Sequence, residues 1–321
     1  MITDRSSLTS RQIPQMTLGT GGPGSLTAPP VPPPHNATPA ERAARRFGLH
    51  GKNAVVTGGA GDLGAAVCRA LLEHGLRGLM VFDLLGPAEA EPRMAALRAE
   101  FPEAMIGFLR LDITDEAAVE EAVRSAEERF AVGGGEAGEK IRGDGKGMGG
   151  GIDILLNFAG IVSCAHALYF DSAGWARVLS VNTVGGAVVA TAVARRMIAG
   201  GRGGSMVFVA SISAHGVNYP QPQAPYNVSK AGVRALVKSL AAEWAVHGIR
   251  VNCISPGYMD TILNEGPGLE YARREWLARC PMGRMGSPDE LSGAVVMLAS
   301  RAGSYITGAD LLIDGGQTLL V

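Results

Sequence analysis

This sequence is poor in several of the features that mark large classes of protein. Aromatic residues make up 5% of it and charged residues 18%, with 29 Lys+Arg set against 30 Asp+Glu for a net charge of -1. A chain so balanced has no basic surface for nucleic acid or an anionic bilayer, and a small molecule is the expected partner. No apolar run approaches the roughly 20 residues that cross a membrane, so a soluble protein with no membrane partner is expected. Cysteine is scarce too: Cys68, Cys164, Cys253 and Cys280 lie far apart, with no C-x-x-C pair and no histidine at zinc-ligand spacing. That pattern suits a reducing compartment, read here as the cytoplasm, and a protein without a metal site.

What the chain has in quantity is glycine, 45 residues, and apolar side chains, 46%. Two stretches stand outside any core. Residues 1 to 46 are polar and then proline-rich, through "APPVPPPHNATPAERAARR", a composition that favours extended or disordered chain over packed structure. The tail has arginines and hydroxyls but few acids, which keeps mitochondrial import as the weaker alternative to a cytoplasmic location. The second stretch, 132 to 151, is a glycine-rich insertion expected to form a mobile surface loop. Residues 47 to 321 remain for one large domain.

Within that domain short apolar segments alternate with helical patterns. "NAVVTG", "LMVFD", "MIGFLRLD", "IDILLNFAG", "GSMVFVAS", "IRVNCISPG" and "DLLIDGG" are seven strand candidates. Helices are expected at 62–75, 89–100, 115–130, 171–199, 225–247 and 288–299. The strands are apolar throughout instead of alternating, as parallel strands covered on both faces are. The expected fold is α/β: a single doubly wound Rossmann-type domain with a seven-stranded parallel sheet. Ligands of such sheets bind outside the carboxyl ends of the strands, so the residues that follow each strand carry the search for a site.

After the first strand comes "TGGAGDLG", which holds G-x-G-x-x-G as Gly59, Gly61 and Gly64. Glycines there let backbone amides approach a pyrophosphate at a helix N-terminus. Asp83 ends the next strand, where a carboxylate accepts from both ribose hydroxyls and repels a 2'-phosphate. With no Arg or Lys close behind it, NAD is the expected cofactor.

A second constellation lies in "APYNVSKAGV", residues 224 to 233. On a helix, Tyr226 and Lys230 stand on one face. A free tyrosine is only about one part in a thousand phenolate at pH 7, and a fixed ammonium beside it lowers its pKa, so the pair has the makings of a proton acceptor. Any amphipathic helix also places Tyr and Lys four apart by accident.

From about residue 47 onward the chain resembles the short-chain dehydrogenase/reductase family. The family's T-G-x-x-x-G-x-G is matched by Thr57, Gly58 and Gly64, with Asp62 in place of the middle glycine. An acid there caps the following helix but also brings negative charge toward a pyrophosphate. The resemblance implies cofactor contacts from Gly58, Gly61, Asp62, Leu63 and Gly64 in this loop, and from Asp83. It adds Asp112 and Ile113 after the third strand, and Asn157, Ala159 and Gly160 in "NFAG", where Phe158 replaces the family's second asparagine. Pro256, Gly257, Met259 and Thr261 in "PGYMDT" would face the nicotinamide. The implied catalytic set is Asn182, Ser213, Tyr226 and Lys230, with Ser213 lying 13 residues before Tyr226. In that scheme Tyr226 exchanges the hydroxyl proton, Lys230 lowers its pKa and holds the nicotinamide ribose, and Ser213 bonds the reacting oxygen. Asn182 bends its helix and holds a relay water. A homotetramer is also implied, with the helices at 171–199 and 225–247 in the contacts.

The segment "SISAHGVNYPQPQAPYNVSK" is similar to fungal polyol dehydrogenases and ketose reductases. Ser213, His215, Gln221 and Tyr226 are the expected substrate contacts, and Asn218 and Gln223 offer further donors and acceptors of the kind a polyhydroxylated substrate needs. Met259 to Met285 is the expected lid. His215 near Ser213 does not signal a serine hydrolase, because no G-x-S-x-G elbow is present. A reductase of an acyl or other carbonyl substrate, and a nucleotide-binding regulatory protein without catalysis, stay open as alternatives.

Overall fold

Seven segments rich in Val, Ile, Leu and Met form the strands β1 (Asn53–Thr57), β2 (Gly78–Asp83), β3 (Met105–Arg110), β4 (Ile154–Asn157), β5 (Gly204–Val209), β6 (Ile249–Pro256) and β7 (Asp310–Ile313). They are seen in a computed structural model that describes residues 13–132 and 150–320. The strands make one sheet in the order β3-β2-β1-β4-β5-β6-β7, parallel at every pairing. The order reverses between β1 and β4, where Thr57 lies opposite Asn157. Successive strand residues point to opposite faces, and the two cores follow. Val55, Leu155 and Phe208 pack with Phe130, Val193 and Val237 on one face. Val56, Leu156 and Val207 pack with Val67, Met94 and Val295 on the other. Both β1 and β4 are buried along their whole length, which is why their sequences do not alternate.

The helices are α1 (Pro39–Phe47), α2 (Asp62–Glu73), α3 (Pro87–Glu100), α4 (Glu116–Val132), α5 (Ser172–Leu179), α6 (Gly186–Ala199), α7 (Ala224–Trp244), α8 (Glu270–Ala278) and α9 (Ser292–Ala299). All seven expected strands and six expected helical regions are present, with three differences. Between α5 and α6 the chain makes a π-turn over Ser180–Gly185, so one expected helix is two joined out of phase. The combined stretch Ser172–Ala199 is long and apolar enough to span a bilayer, longer than the runs visible in the sequence, but Val189, Ala190, Val193 and Met197 belong to the core. The helix α8 sits in the lid, where Gly and Pro on both sides hid its short pattern.

In the N-terminal segment, α1 forms where extended chain was expected. Thr38 caps it reciprocally with Glu41, and Pro39 occupies the first turn, where its missing N–H costs nothing. Upstream of α1, Arg301 donates to the Val31 carbonyl at 2.8 Å, so residue 31 is tied to the body of the domain. Residues 1–12 of the tail and 133–149 of the glycine-rich insertion lie outside the described residues. All four cysteines are free thiols.

Leu155 is 0% exposed at the centre of the sheet, so a smaller side chain there leaves a cavity in the core. Leu155→Ala is expected to lower the unfolding free energy by about 2–5 kcal/mol, as read from urea denaturation.

Candidate active site

The site is assembled at the carboxyl edge of β1, β4, β5 and β6. Thr57 Oγ1 donates to Asn157 Oδ1 at 2.9 Å and accepts from the Ala159 N–H at 3.2 Å, while Asn157 Nδ2 donates to the Gly186 carbonyl at 2.9 Å. These buried bonds join the turn after β1, the turn after β4 and the start of α6. Gly58 takes φ +66°, and a Cβ on it would sit 2.7 Å from the Ala159 nitrogen. A Cβ on Gly64 would fall on the Gly58 carbonyl oxygen, so the helix approaches the loop as closely as backbones can. At the head of α2, Gly61 is extended and makes no side-chain cap, which leaves first-turn N–H groups without an intrahelical partner. A bare helix start behind a cradle without side chains is what a dinucleotide pyrophosphate requires, and the residues present fit one.

Asp62 does not stand as an isolated charge in that cradle. Its Oδ1 is bonded by Arg93 of α3, and its Oδ2 accepts from the Ile262 N–H at 3.2 Å. Arg93 also donates to the Ala60 carbonyl, so one guanidinium neutralises the acid and braces the loop. Asp83 closes β2 with its carboxylate pinned by two backbone donors, Ala60 N at 3.0 Å and Leu85 N at 3.1 Å. Asp112 accepts from the Thr114 N–H and hydroxyl at 2.9 and 2.7 Å, bonds that hold its carboxyl below the usual range.

Other expected cofactor residues divide by the direction of their side chains. Gly160 lies where a Cβ would be 3.6 Å from Lys230 Nζ, which keeps open the space beside the ammonium. Pro256 ends β6, and Gly257 approaches Asp314 too closely for a side chain. Thr261 is buried at the lid hinge next to Ile262. Leu63, Ile113 and Met259 turn their side chains into the core clusters. For Ile113 and Met259, each just after a strand end, packing claims the apolar side chain, which leaves the backbone to make the expected cofactor contact.

The proton-handling group lies on α7 and the turn before it. Lys230 Nζ donates to the Val209 carbonyl at 2.8 Å and sits 5.6 Å from the Tyr226 ring centroid. Burial depresses the Lys230 pKa to about 8 and pushes Tyr226 up to about 12, against the opposing effect of a hydrogen bond with Ser211. Burial therefore outweighs the lowering expected from Lys230. Asn182 sits inside the π-turn with every polar atom of its amide engaged: Oδ1 accepts from Ile161 N at 2.8 Å, and Nδ2 donates to Ile161 O and Ser229 Oγ, each at 2.9 Å. It bends and ties the helix.

Two serines, not one, stand beside Tyr226. Ser211 follows β5 and is the serine whose hydroxyl opposes the upward shift of the Tyr226 phenol. It donates to Ser213 Oγ at 3.0 Å, and Ser213 also accepts from Gln223 Nε2 at 3.1 Å. The spacing to Tyr226 selected Ser213 and missed Ser211. Its signal was its position as the first polar residue after a buried strand.

Of the expected substrate contacts, His215 faces away. Its Nε2 meets Asp310 at 3.0 Å and Ser255 at 3.1 Å, in a cluster that Arg234 completes on Asp310 at 2.6 Å. The charge of Asp310 holds the imidazole between β6 and β7, which removes it from the substrate side. Gln221 is occupied as well, accepting from Trp276 Nε1 at 3.0 Å and donating to Tyr258 at 2.8 Å. Gln223, buried and bonded to Ser213, Asn218 and Asn227, is the glutamine that reaches the catalytic group.

Comparison with known proteins fits this geometry. Residues 136–318 match the family described as Enoyl-(Acyl carrier protein) reductase, and 53–135 match the KR domain. The chain belongs to the short-chain dehydrogenase/reductase family. It is 38% identical to galactitol 2-dehydrogenase (L-tagatose-forming) of Cereibacter sphaeroides, across 85% of this chain and 97% of that one. It is 35% identical to D-arabinitol 2-dehydrogenase [ribulose-forming] of Candida tropicalis, across 84% and 93%. A crystal structure of a short-chain dehydrogenase/reductase from Mycobacterium marinum superposes with a TM-score of 0.75 at 34% identity, covering 85% of this chain and 97% of that one. In line with its polyol dehydrogenase relatives, the chemistry is oxidoreduction of an alcohol/ketone pair with a nicotinamide cofactor.

Ser211→Ala is expected to lower kcat about 100-fold, more than Ser213→Ala does, because the Ser211 hydroxyl is the one that opposes the upward shift of the phenol; steady-state rates of the two variants decide. Lys230 supplies a second test. Its folded pKa lies below its ordinary value, so between pH 8 and 10.5 the unfolded chain binds more protons and stability rises with pH. Lys230→Met is expected to be more stable than wild type by on the order of 3 kcal/mol at pH 7, with the gap narrowing as pH rises through that window in thermal unfolding.

Proposed function

We propose that this protein is an NAD-dependent dehydrogenase of sugar alcohols, interconverting a secondary hydroxyl of a polyol with the carbonyl of a ketose. The observation that carries the reading is the polar wall around Tyr226. Ser211, Ser213, Gln223, Asn218, Gln221 and Tyr258 form one connected set of hydrogen bonds at the mouth of the site, where an acyl chain or steroid would need apolar lining. The similarity to galactitol and arabinitol dehydrogenases across more than four fifths of the chain supports the same class. The preference for NAD rests on Asp83, whose carboxylate is fixed at the end of β2 where a 2'-phosphate would meet it. Arg93, the arginine of α3 that reaches this loop, is already committed to Asp62 and Ala60.

The bound nicotinamide supplies the hydride acceptor or donor. Tyr226 holds the transferred proton on its hydroxyl, and Ser211 with Ser213 orients the substrate oxygen against it. Lys230, anchored by Val209, places its charge beside both the phenol and the open space over Gly160. Burial keeps Tyr226 protonated, the form that donates in ketone reduction, so oxidation, which needs the phenolate, gains as pH rises. We also read the protein as a homotetramer, supported by Val184 and Val228, apolar side chains left exposed on the π-turn and α7.

Initial rates with NAD and NADP across galactitol, arabinitol, mannitol, xylitol and sorbitol test the function. The expected result is oxidation of at least one polyol with kcat/KM for NAD about 10-fold or more above NADP, faster at pH 9 than at pH 7, and abolished in Tyr226→Phe. Turnover of a hydrophobic ketone with no polyol activity would refute the reading.

A further inference from the structure

Tyr258 follows Gly257 in the loop after β6, at a meeting of three segments. Its ring lies on the indole of Trp276 in α8, with centroids 4.1 Å apart and planes 10° from parallel. Its hydroxyl oxygen accepts from Asn218 Nδ2 at 3.0 Å and from Gln221 Nε2 at 2.8 Å. Chemistry fixes the direction of the Gln221 bond. Trp276 Nε1 can only donate, and it donates to Gln221 Oε1 at 3.0 Å, so the NH2 end of that amide faces Tyr258. Asn218 is oriented with its Oδ1 3.0 Å from Gln223 Nε2 and its NH2 toward the phenol.

A phenol has one proton to give as well as lone pairs to offer. With two amides donating to the Tyr258 oxygen, its own proton is left over, and among the described residues no acceptor engages it. The residue belongs to the wall of the catalytic pocket. Hydrogen bonds run without a break from Tyr258 through Asn218 and Gln223 to Ser213 and Ser211.

We propose that Tyr258 is a specificity-determining residue that donates its hydroxyl proton to a substrate oxygen on a carbon next to the one oxidised, selecting vicinal polyols over simple secondary alcohols. The proposal rests on the polyol reading above. A site built to bond a hydroxyl rejects an analogue that lacks it, because its own buried group is then left unpaired. Gln221, expected to touch substrate, instead sets the direction of the phenol that does.

Two variants test this from opposite sides. Tyr258→Phe removes the proton and keeps the ring on Trp276. Gln221→Glu keeps Tyr258 but replaces a donor with a carboxylate that only accepts, so the phenol proton turns to residue 221 and away from the pocket. Wild type and variants are assayed with the best polyol and with cyclohexanol, and polyol affinity is measured by calorimetric titration. The ratio of kcat/KM for polyol to that for cyclohexanol is expected to fall about 10- to 100-fold in both variants, with the polyol Kd rising in parallel. A ratio that stays near the wild-type value in Tyr258→Phe, whatever happens to total activity, marks a purely structural residue and overturns the proposal. If Tyr258→Phe does not fold, the ratio for Gln221→Glu decides alone. A wild type that uses cyclohexanol and no polyol sinks the polyol reading and this proposal together. Preference for polyol with unmoved ratios sinks the proposal only.

Discussion

The hydroxyl of Thr57 is the joint on which the site depends. It lies where the sheet order reverses, and by donating to Asn157 and accepting from Ala159 it fixes two strand ends against each other. A parallel sheet splays its loops to opposite sides at such a point, which opens a crevice for a ligand. The crevice is useful only if its two lips keep their distance. A buried two-way hydrogen bond holds that distance without filling the space above it, whereas a larger side chain would do one at the expense of the other. The approach of Gly58 to Ala159 and the seat of α6 on Asn157 both follow from that spacing.

Around this joint the protein buries groups that would be more comfortable in water. Lys230 is 6% exposed and Asn182 5%, and neither belongs in a core by composition. Each has a main-chain anchor: Val209 for the lysine, Ile161 for the asparagine. Main-chain partners do not change rotamer, so the reactive side chains are positioned by the fold itself. The result is a site in which Tyr226 is held as the neutral phenol beside the Lys230 ammonium.

The fold could be read from the sequence because it is written in long-range repetition. Val55 and Val56, or Leu155 and Leu156, are both apolar since each neighbour serves a different face, and seven such runs between helical periods leave little choice of architecture. The Tyr226 and Lys230 pair was legible for the same reason, as one helical period fixes their relation. Side-chain direction in loops was not legible. His215 looked like a substrate contact until Asp310, 95 positions away, claimed it. Asp62 looked like a repulsive charge because its partners, Arg93 and Ile262, come from α3 and the lid. Counting back from Tyr226 favoured Ser213 over Ser211, since the loop between strand and helix sets which hydroxyl reaches the phenol, and its path is not encoded by spacing.

The π-turn at Ser180–Gly185 acts on everything downstream as a change of phase. An α-helix advances about 100° per residue, so one extra residue in a single turn rotates α6 by roughly that angle about the axis of α5. Val178 meets the core along one meridian, while Val189, Ala190 and Val193 meet it along another. The same rotation carries Asn182 to the hinge of the two meridians, within reach of the loop after β4. Length in this turn is thus a stricter requirement than composition: substitutions there alter contacts, but gain or loss of a single residue would turn an entire helix to the wrong face.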